Sequence, residues 1–193
     1  MPRPTLLEVH DHMSRSFVPV ALAMLAAATL PLLARADPYG DLLKIRSAFE
    51  SARSWHASEQ FSNGRTILID YVAPNRWRIQ PTSNVTEILI GNTVYMVSNG
   101  RTVRTPFGSP QIHQIVSQNW FRITPEVRRT LRDRGWRSVG GVRLHEYTFT
   151  ADSMPVQLYA GTNDLPVRSY VRMTRGTVTI LYSRYNAPIS INP

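Results

Sequence analysis

The chain contains no cysteine among its 193 residues. That absence removes disulfide frameworks, thiolate zinc sites, iron–sulfur clusters, cysteine nucleophiles and a lipid-modified cysteine together. Acidic residues are also scarce, 13 against 22 Lys plus Arg, and charged residues make up only 18% of the chain. This is too little charge for a disordered polyelectrolyte, while a hydrophobic content of 42% suffices for a core. Lysine is nearly missing: over residues 37–193 the basic side chains are Lys44 and 18 arginines, set against 11 acids, a net charge of +8. An excess made of arginine alone is weak evidence of phosphate binding, because arginine abundance also follows genome composition. No internal repeat, low-complexity tract or interdomain linker is visible, and the length suits one domain.

Long apolar runs are absent except for one. Arg15 precedes Phe17 to Ala34 (FVPVALAMLAAATLPLLA), and Ala34-Arg35-Ala36 then gives way to Asp37-Pro38. A positive residue, an apolar stretch and a small-x-small site in that order predict a secretory signal peptide over residues 1–36, cleaved after Ala36. Pro19, Pro31 and the alanines make a poor permanent membrane span. The acids Glu8 and Asp11 are unusual ahead of such a run, which points to Met13 as the true start. The expected product is a periplasmic domain of residues 37–193. An exported basic protein rarely meets nucleic acid, so the expected electrostatic partner is an anionic membrane surface.

Asp37 to Ser54 spaces Leu42, Ile45, Phe49 and Ala52 by three and four, an amphipathic helix. From Trp55 the period shortens. WHASEQFS, TILIDYVA, NRWRIQ, VTEILIG, NTVYMVS and RTVRT are rich in β-branched and aromatic residues, separated by turn signals such as Asn63-Gly64, Pro74-Asn75 and Asn99-Gly100. Such short turns predict antiparallel pairing, since parallel strands need crossovers of a dozen residues. Ser109 to Asn119 reads as a short helix, and Thr124-Pro125-Glu126 opens another with a capping residue and proline at the first position. GWRSVG, VRLHEYTFT, MPVQLYA, LPVRSYVRM and TVTILYSRYN then restore the strand pattern. The fold expected is α+β and mostly β. About eleven strands form one antiparallel sheet, which must curl or close because an open flat one exposes long edges and a bare face.

Several strings carry a resemblance. SWHASEQFSNGRTILIDYVAPNRWRIQ, EILIGNTVYMVSNGRTVRTP and NDLPVRSYVRMTRGTVTILYSRYNAPISINP resemble the outer-membrane lipoprotein carrier, or LolA-like, superfamily over about residues 40–193. The resemblance implies an exported eleven-stranded half-barrel with an N-terminal helix and a short helical lid, carrying lipid or lipoprotein acyl chains. It also implies a second possibility, a sensor or adaptor of the same fold that binds an envelope protein. In the lipoprotein carrier an arginine immediately before the Pro-Asn turn fastens the lid, whereas Ala73 stands there in this chain. The carry-over fails at that position, although Arg76 and Arg78 lie nearby.

Catalytic chemistry has no positive signal. His56, His113 and His145 are far apart in sequence, and no nucleophile elbow, phosphate loop or dinucleotide fingerprint is present. Asp70, Glu87, Glu146 and Asp152 fall on separate strands and loops, where pairing with arginine at the surface is the expected role and a convergent hydrolase pair the remote alternative. No cofactor or metal is expected, and neither is an enzyme. Strand alternation instead groups apolar residues: Trp55 with Phe61, Ile69 with its neighbours, Trp77 with Ile79, and Tyr147 with Phe149. The lid adds Ile112, Ile115, Val116, Trp120 and Phe121. Each position also fits plain core packing, but together they predict a half-barrel with more apolar wall than its helices fill. An acyl chain of about fourteen carbons buried there gains on the order of 10 kcal/mol, at roughly 0.8 kcal/mol per methylene. Arg76, Arg78, Arg101 and Arg104 are the candidates for contact with an anionic head group or a partner. The expected working unit is a monomer with lipid or acylated protein as its cargo.

Overall fold

A computed structural model describes residues 37–105 and 122–193. The elements are α1 (Pro38–Ser51), β1 (Ser54–Phe61), β2 (Thr66–Val72), β3 (Arg76–Thr82), β4 (Val85–Ile90), β5 (Thr93–Ser98) and β6 (Arg101–Thr105). Then come α2 (Pro125–Thr130), β7 (Arg132–Val139), β8 (Val142–Ala151), β9 (Met154–Ala160), β10 (Pro166–Met173) and β11 (Gly176–Ser183). All eleven strands anticipated from the turn spacing form, in one sheet ordered β6-β5-β4-β3-β2-β1-β11-β10-β9-β8-β7. Every neighbouring pair is antiparallel, and the first and last strands meet in the middle. The sheet is thus two hairpin meanders sewn together along β1 and β11, open and curved as a half-barrel.

Alternation divides the sheet into an inner face, which the helices cover, and an outer face. On the inner face Leu42, Ile45 and Phe49 of α1 join Trp55, Ala57, Ile67, Ile69, Ile79, Leu158, Val178, Ile180 and Tyr182 in one core. Ala57, Ile69 and Ile79 have no exposed surface at all. Ile side chains buried this fully contribute roughly 1.5–3 kcal/mol each. Phe49 anchors the helix, its ring 5.1 Å from Trp55 and 5.8 Å edge-on to Tyr182.

α2 is the short helix expected from Thr124-Pro125. The Thr124 hydroxyl accepts from the Val127 amide at 3.2 Å, and Val127 with Leu131 enters the same core. The helix is tied to β8 where the Thr150 amide donates to the Thr130 hydroxyl at 2.9 Å.

Three boundaries differ by three residues from the sequence expectation. α1 stops at Ser51 rather than Ser54, because Ser54 already pairs with Val72 in the ladder. β7 begins at Arg132, ahead of Gly135, and absorbs that glycine in a bulge where the Asp133 carboxylate accepts from the Gly135 amide at 2.6 Å. β11 ends at Ser183 rather than Asn186, since Arg184 and Asn186 turn the chain with φ near 55°. Beyond that turn the C-terminal tail is bound to β1 and β3. The Ser54 hydroxyl donates to the Ala187 carbonyl at 2.6 Å, Arg78 Nη1 donates to the Ser190 carbonyl at 3.2 Å, and Ile191 is buried. The helix expected over Ser109 to Asn119 lies outside the described residues.

Candidate functional site

The inner face collects most of the apolar residues singled out from the sequence. Trp55, Phe61, Ile69, Trp77, Ile79, Tyr147 and Phe149 all line it, as part of the core or packed against it. Ile112, Ile115, Val116, Trp120 and Phe121 fall outside the described residues. Trp55, Tyr71 and Trp77 form a ring cluster across β1, β2 and β3, with centroids 5.5, 5.6 and 4.7 Å apart. Register explains it: Trp55 lies opposite Tyr71, and Tyr71 opposite Trp77. Each such pair adds about 0.5–1.5 kcal/mol beyond burial.

Cover on this face fades towards β6. Val94 is buried, but Met96 is 39% exposed and Val103, its ladder partner, is 60% exposed. Phe61, Leu89, Phe149, Val171 and Met173 are only partly buried. The wall therefore continues past the helices as accessible apolar surface.

The far side of the same face is polar and internally closed. His145 Nε2 meets the Asp133 carboxylate at 2.6 Å, its Nδ1 meets the Tyr147 hydroxyl at 3.2 Å, and the His145 ring stacks on Tyr147 at 4.6 Å. Burial, and then the carboxylates of Asp41 and Asp133, push the Tyr147 phenol well above its usual range. It stays protonated and offers no nucleophile. Arg143 lies over Trp136, 5.0 Å from the ring centroid, and Trp136 lies 4.9 Å from His145, which extends this stack to the β7 edge.

The arginine candidates divide between the faces. Arg76 and Arg78 stand opposite Ile90 and Ile88, on the outer side of β3, and Arg104 stands opposite Tyr95, also outside. Arg101 shares the side of Val103. Arg78 is committed to structure: its guanidinium grips Asp70 at 2.6 and 2.8 Å, and His56 Nδ1 holds the other carboxylate oxygen at 2.8 Å. A second outer carboxylate, Glu146, is held by Arg137 at 3.1 Å and by the Gln157 amide at 2.7 Å. Both acids pair with arginine as the sequence suggested, but they are buried rather than at the surface. Glu87 instead turns to the inner face opposite Met96.

One inner residue escaped the sequence reading. Glu59 sits between Ile67 and Ile180 in register, on the side of Ala57 and Phe61, and is 9% exposed. Burial, opposed weakly by Arg65, pushes its carboxyl up to about 7. The signal was available in the alternation Trp55, Ala57, Glu59, Phe61, which places an acid in an apolar row. Among the described residues no group of three or more His, Asp or Glu converges to hold a metal.

No known family profile matches the chain, and neither does any curated protein sequence. Solved structures do. LprF from Mycobacterium bovis superposes with a TM-score of 0.60 at 14% identity, covering 81% of this chain and 96% of its own. LppX, a lipoprotein of Mycobacterium tuberculosis, superposes with a TM-score of 0.56 at 16% identity, covering 81% of this chain and 100% of its own. At such identities the likeness concerns backbone architecture, and together with the eleven-stranded half-barrel it establishes that the chain has the LolA-like fold.

Proposed function

We propose that this protein is an exported binding protein of the cell envelope that holds an acyl chain, of a lipid or of an acylated protein, against its inner face. The observation that carries the reading is the apolar surface the helices leave accessible: Met96 and Val103 are exposed on the side of Val94, and Phe61, Leu89, Phe149, Val171 and Met173 are partly so and packed against the buried wall. Soluble proteins rarely leave such contiguous apolar surface without a ligand for it. Each methylene buried there contributes about 0.8 kcal/mol, so affinity can come from chain length with no catalytic group. In this reading translation starts at Met13, residues 13–36 are removed after Ala36 on export, residues 37–193 form the working domain in the periplasm, and that domain acts as a monomer.

The test is native mass spectrometry of the mature protein from periplasm, followed by lipid extraction. One lipid or acylated peptide per chain is the expected result. An empty protein that also takes up no fluorescent fatty acid overturns the reading. The second reading is an adaptor, favoured by β6 and β7 as the strands that end the sheet among the described residues, since an end strand can take up a partner strand. Recovery of a stoichiometric protein partner in place of lipid decides for it.

A further inference from the structure

Three buried carboxylates, Asp70, Glu146 and Glu59, are treated differently by the fold. Asp70 is held by Arg78 and His56, and Glu146 by Arg137 and Gln157. Glu59 receives no hydrogen bond or ion pair from any described residue, although it is nine-tenths buried. Its ladder neighbours are Ile67 and Ile180, and its neighbours along β1 on that face are Ala57 and Phe61. Arg65 acts on it only from a distance, with its guanidinium over the Phe61 ring, 5.7 Å from the centroid. A buried polar group without a partner is rare in native proteins and asks for a reason. A carboxylate accepts hydrogen bonds and attracts cations, and it repels another anion across an apolar site of low dielectric.

We propose that Glu59 is the polar contact for the ligand of the inner face, selecting acyl or alkyl chains that carry a cationic or hydrogen-bond-donating nitrogen over chains that end in a carboxylate. The proposal rests on the binding reading above and names the ligand class for it. A nitrogen lying within reach of Glu59 would place its chain against Phe61 and the half-buried wall beyond, where Val171 and Met173 share the inner face. The carboxyl changes charge near pH 7, so the preference is set by pH. Among the described residues the other titratable groups near it do not interfere. The Tyr182 phenol, raised chiefly by burial, remains neutral. His56 and Asp70 lie on the opposite side of the sheet, and His145 is four strands away and bound to Asp133.

The experiment titrates the mature protein with tetradecylamine, tetradecanoate and tetradecanol, read by tryptophan fluorescence, between pH 5.5 and 8.5. Affinity for the amine is expected to rise about tenfold as Glu59 ionises, affinity for the carboxylate to fall, and the alcohol to stay level. In Glu59→Gln the amine loses its tenfold gain, and in Glu59→Leu the alcohol still binds, which shows an intact apolar wall. Alcohol binding in the wild type without any advantage for the amine at high pH, or an advantage that survives in Glu59→Gln, overturns this proposal alone. Failure of all three probes to bind overturns the acyl-chain reading as well.

Discussion

Asp70 and Glu59 stand on the same central part of the sheet, on opposite faces, and are almost equally buried at 6% and 9% exposure. On the outer face three adjacent strands bring His56, Asp70 and Arg78 into line, and the acid gains a hydrogen-bonded partner on each oxygen. On the inner face the same ladder spacing surrounds Glu59 with isoleucine. The chain can evidently provide for a buried carboxylate where it serves structure. On the proposal above, the difference lies in what each site is for: Asp70 is satisfied by described residues, whereas Glu59 has no hydrogen-bonded partner among them.

The comparison is broken most sharply by pH. The ordinary value of a glutamate carboxyl, kept in the unfolded chain, is near 4.5, and burial raises Glu59 to about 7 in the folded protein. Between those values the unfolded state releases a proton that the folded state keeps, so stability falls as pH rises through that window. At 1.36 kcal/mol per unit, the loss reaches about 3 kcal/mol by pH 8. Glu59→Gln carries no such titration. Urea unfolding is expected to show the variant level with wild type near pH 4 and more stable by about 3 kcal/mol at pH 8. A difference that stays constant with pH would count against an ionisable Glu59 with no partner among the described residues.

Asp70→Asn is expected to act in the other direction, destabilising by about 2 kcal/mol in the same assay, since hydrogen bonds to charged groups contribute about 1.5–3 kcal/mol. Arg78 is 37% exposed and can turn to water once released. The cost thus stays below the 3–5 kcal/mol of a fully buried broken pair. An Asp70 variant as stable as wild type would mean that the outer network is ornamental and that the two faces do not differ in kind.

Much of this was readable in the residues. Period-two alternation and turns rich in Gly, Asn, Asp and Pro located the strands to within three residues, because a half-buried strand must alternate and a short hairpin turns on residues suited to tight turns. What alternation could not supply was pairing between distant segments. The junction of β1 with β11 depends on contacts more than a hundred residues apart, such as Ser58 with Leu181. The tail held by Ser54 and Arg78 has no periodicity to betray it. Arg76 and Arg78 were correctly placed away from Trp77 and Ile79 by alternation, but the commitment of Arg78 to Asp70 is a tertiary fact. Glu59 was legible and passed over, since an acid in an apolar row resembles an ordinary exception until its neighbours are known.

The outer face offers a smaller test of the same idea. Arg78 is bound to Asp70, whereas Arg76 and Arg104 are exposed on that side with no ion pair from a described residue. A basic side chain near an anionic membrane contributes about 1 kcal/mol. Arg76→Gln with Arg104→Gln is expected to weaken cosedimentation with vesicles rich in phosphatidylglycerol while leaving the melting curve unchanged. Arg78→Gln should do the reverse, lowering stability more than vesicle binding. Equal effects from both sets would remove the distinction between an arginine that builds the sheet and one that meets a surface.

The smallest effect isolates burial from pairing. Arg46 and Glu50 on α1 form an ion pair at 2.8 Å, a length matching that of the Asp70 contacts, but their side chains are 34% and 50% exposed. An exposed helix pair of this spacing contributes about 0.3–0.5 kcal/mol, because water screens the charges in both states and both side chains lose rotamer freedom. Arg46→Ala should therefore shift the urea midpoint barely beyond error, and added salt should shrink the shift further. If it cost as much as Asp70→Asn, the distance between partners would be what matters. The contrast between Asp70 and Glu59 would then lose its physical basis, which is that a carboxylate withdrawn from water must find its hydrogen bonds within the protein or in something the protein binds.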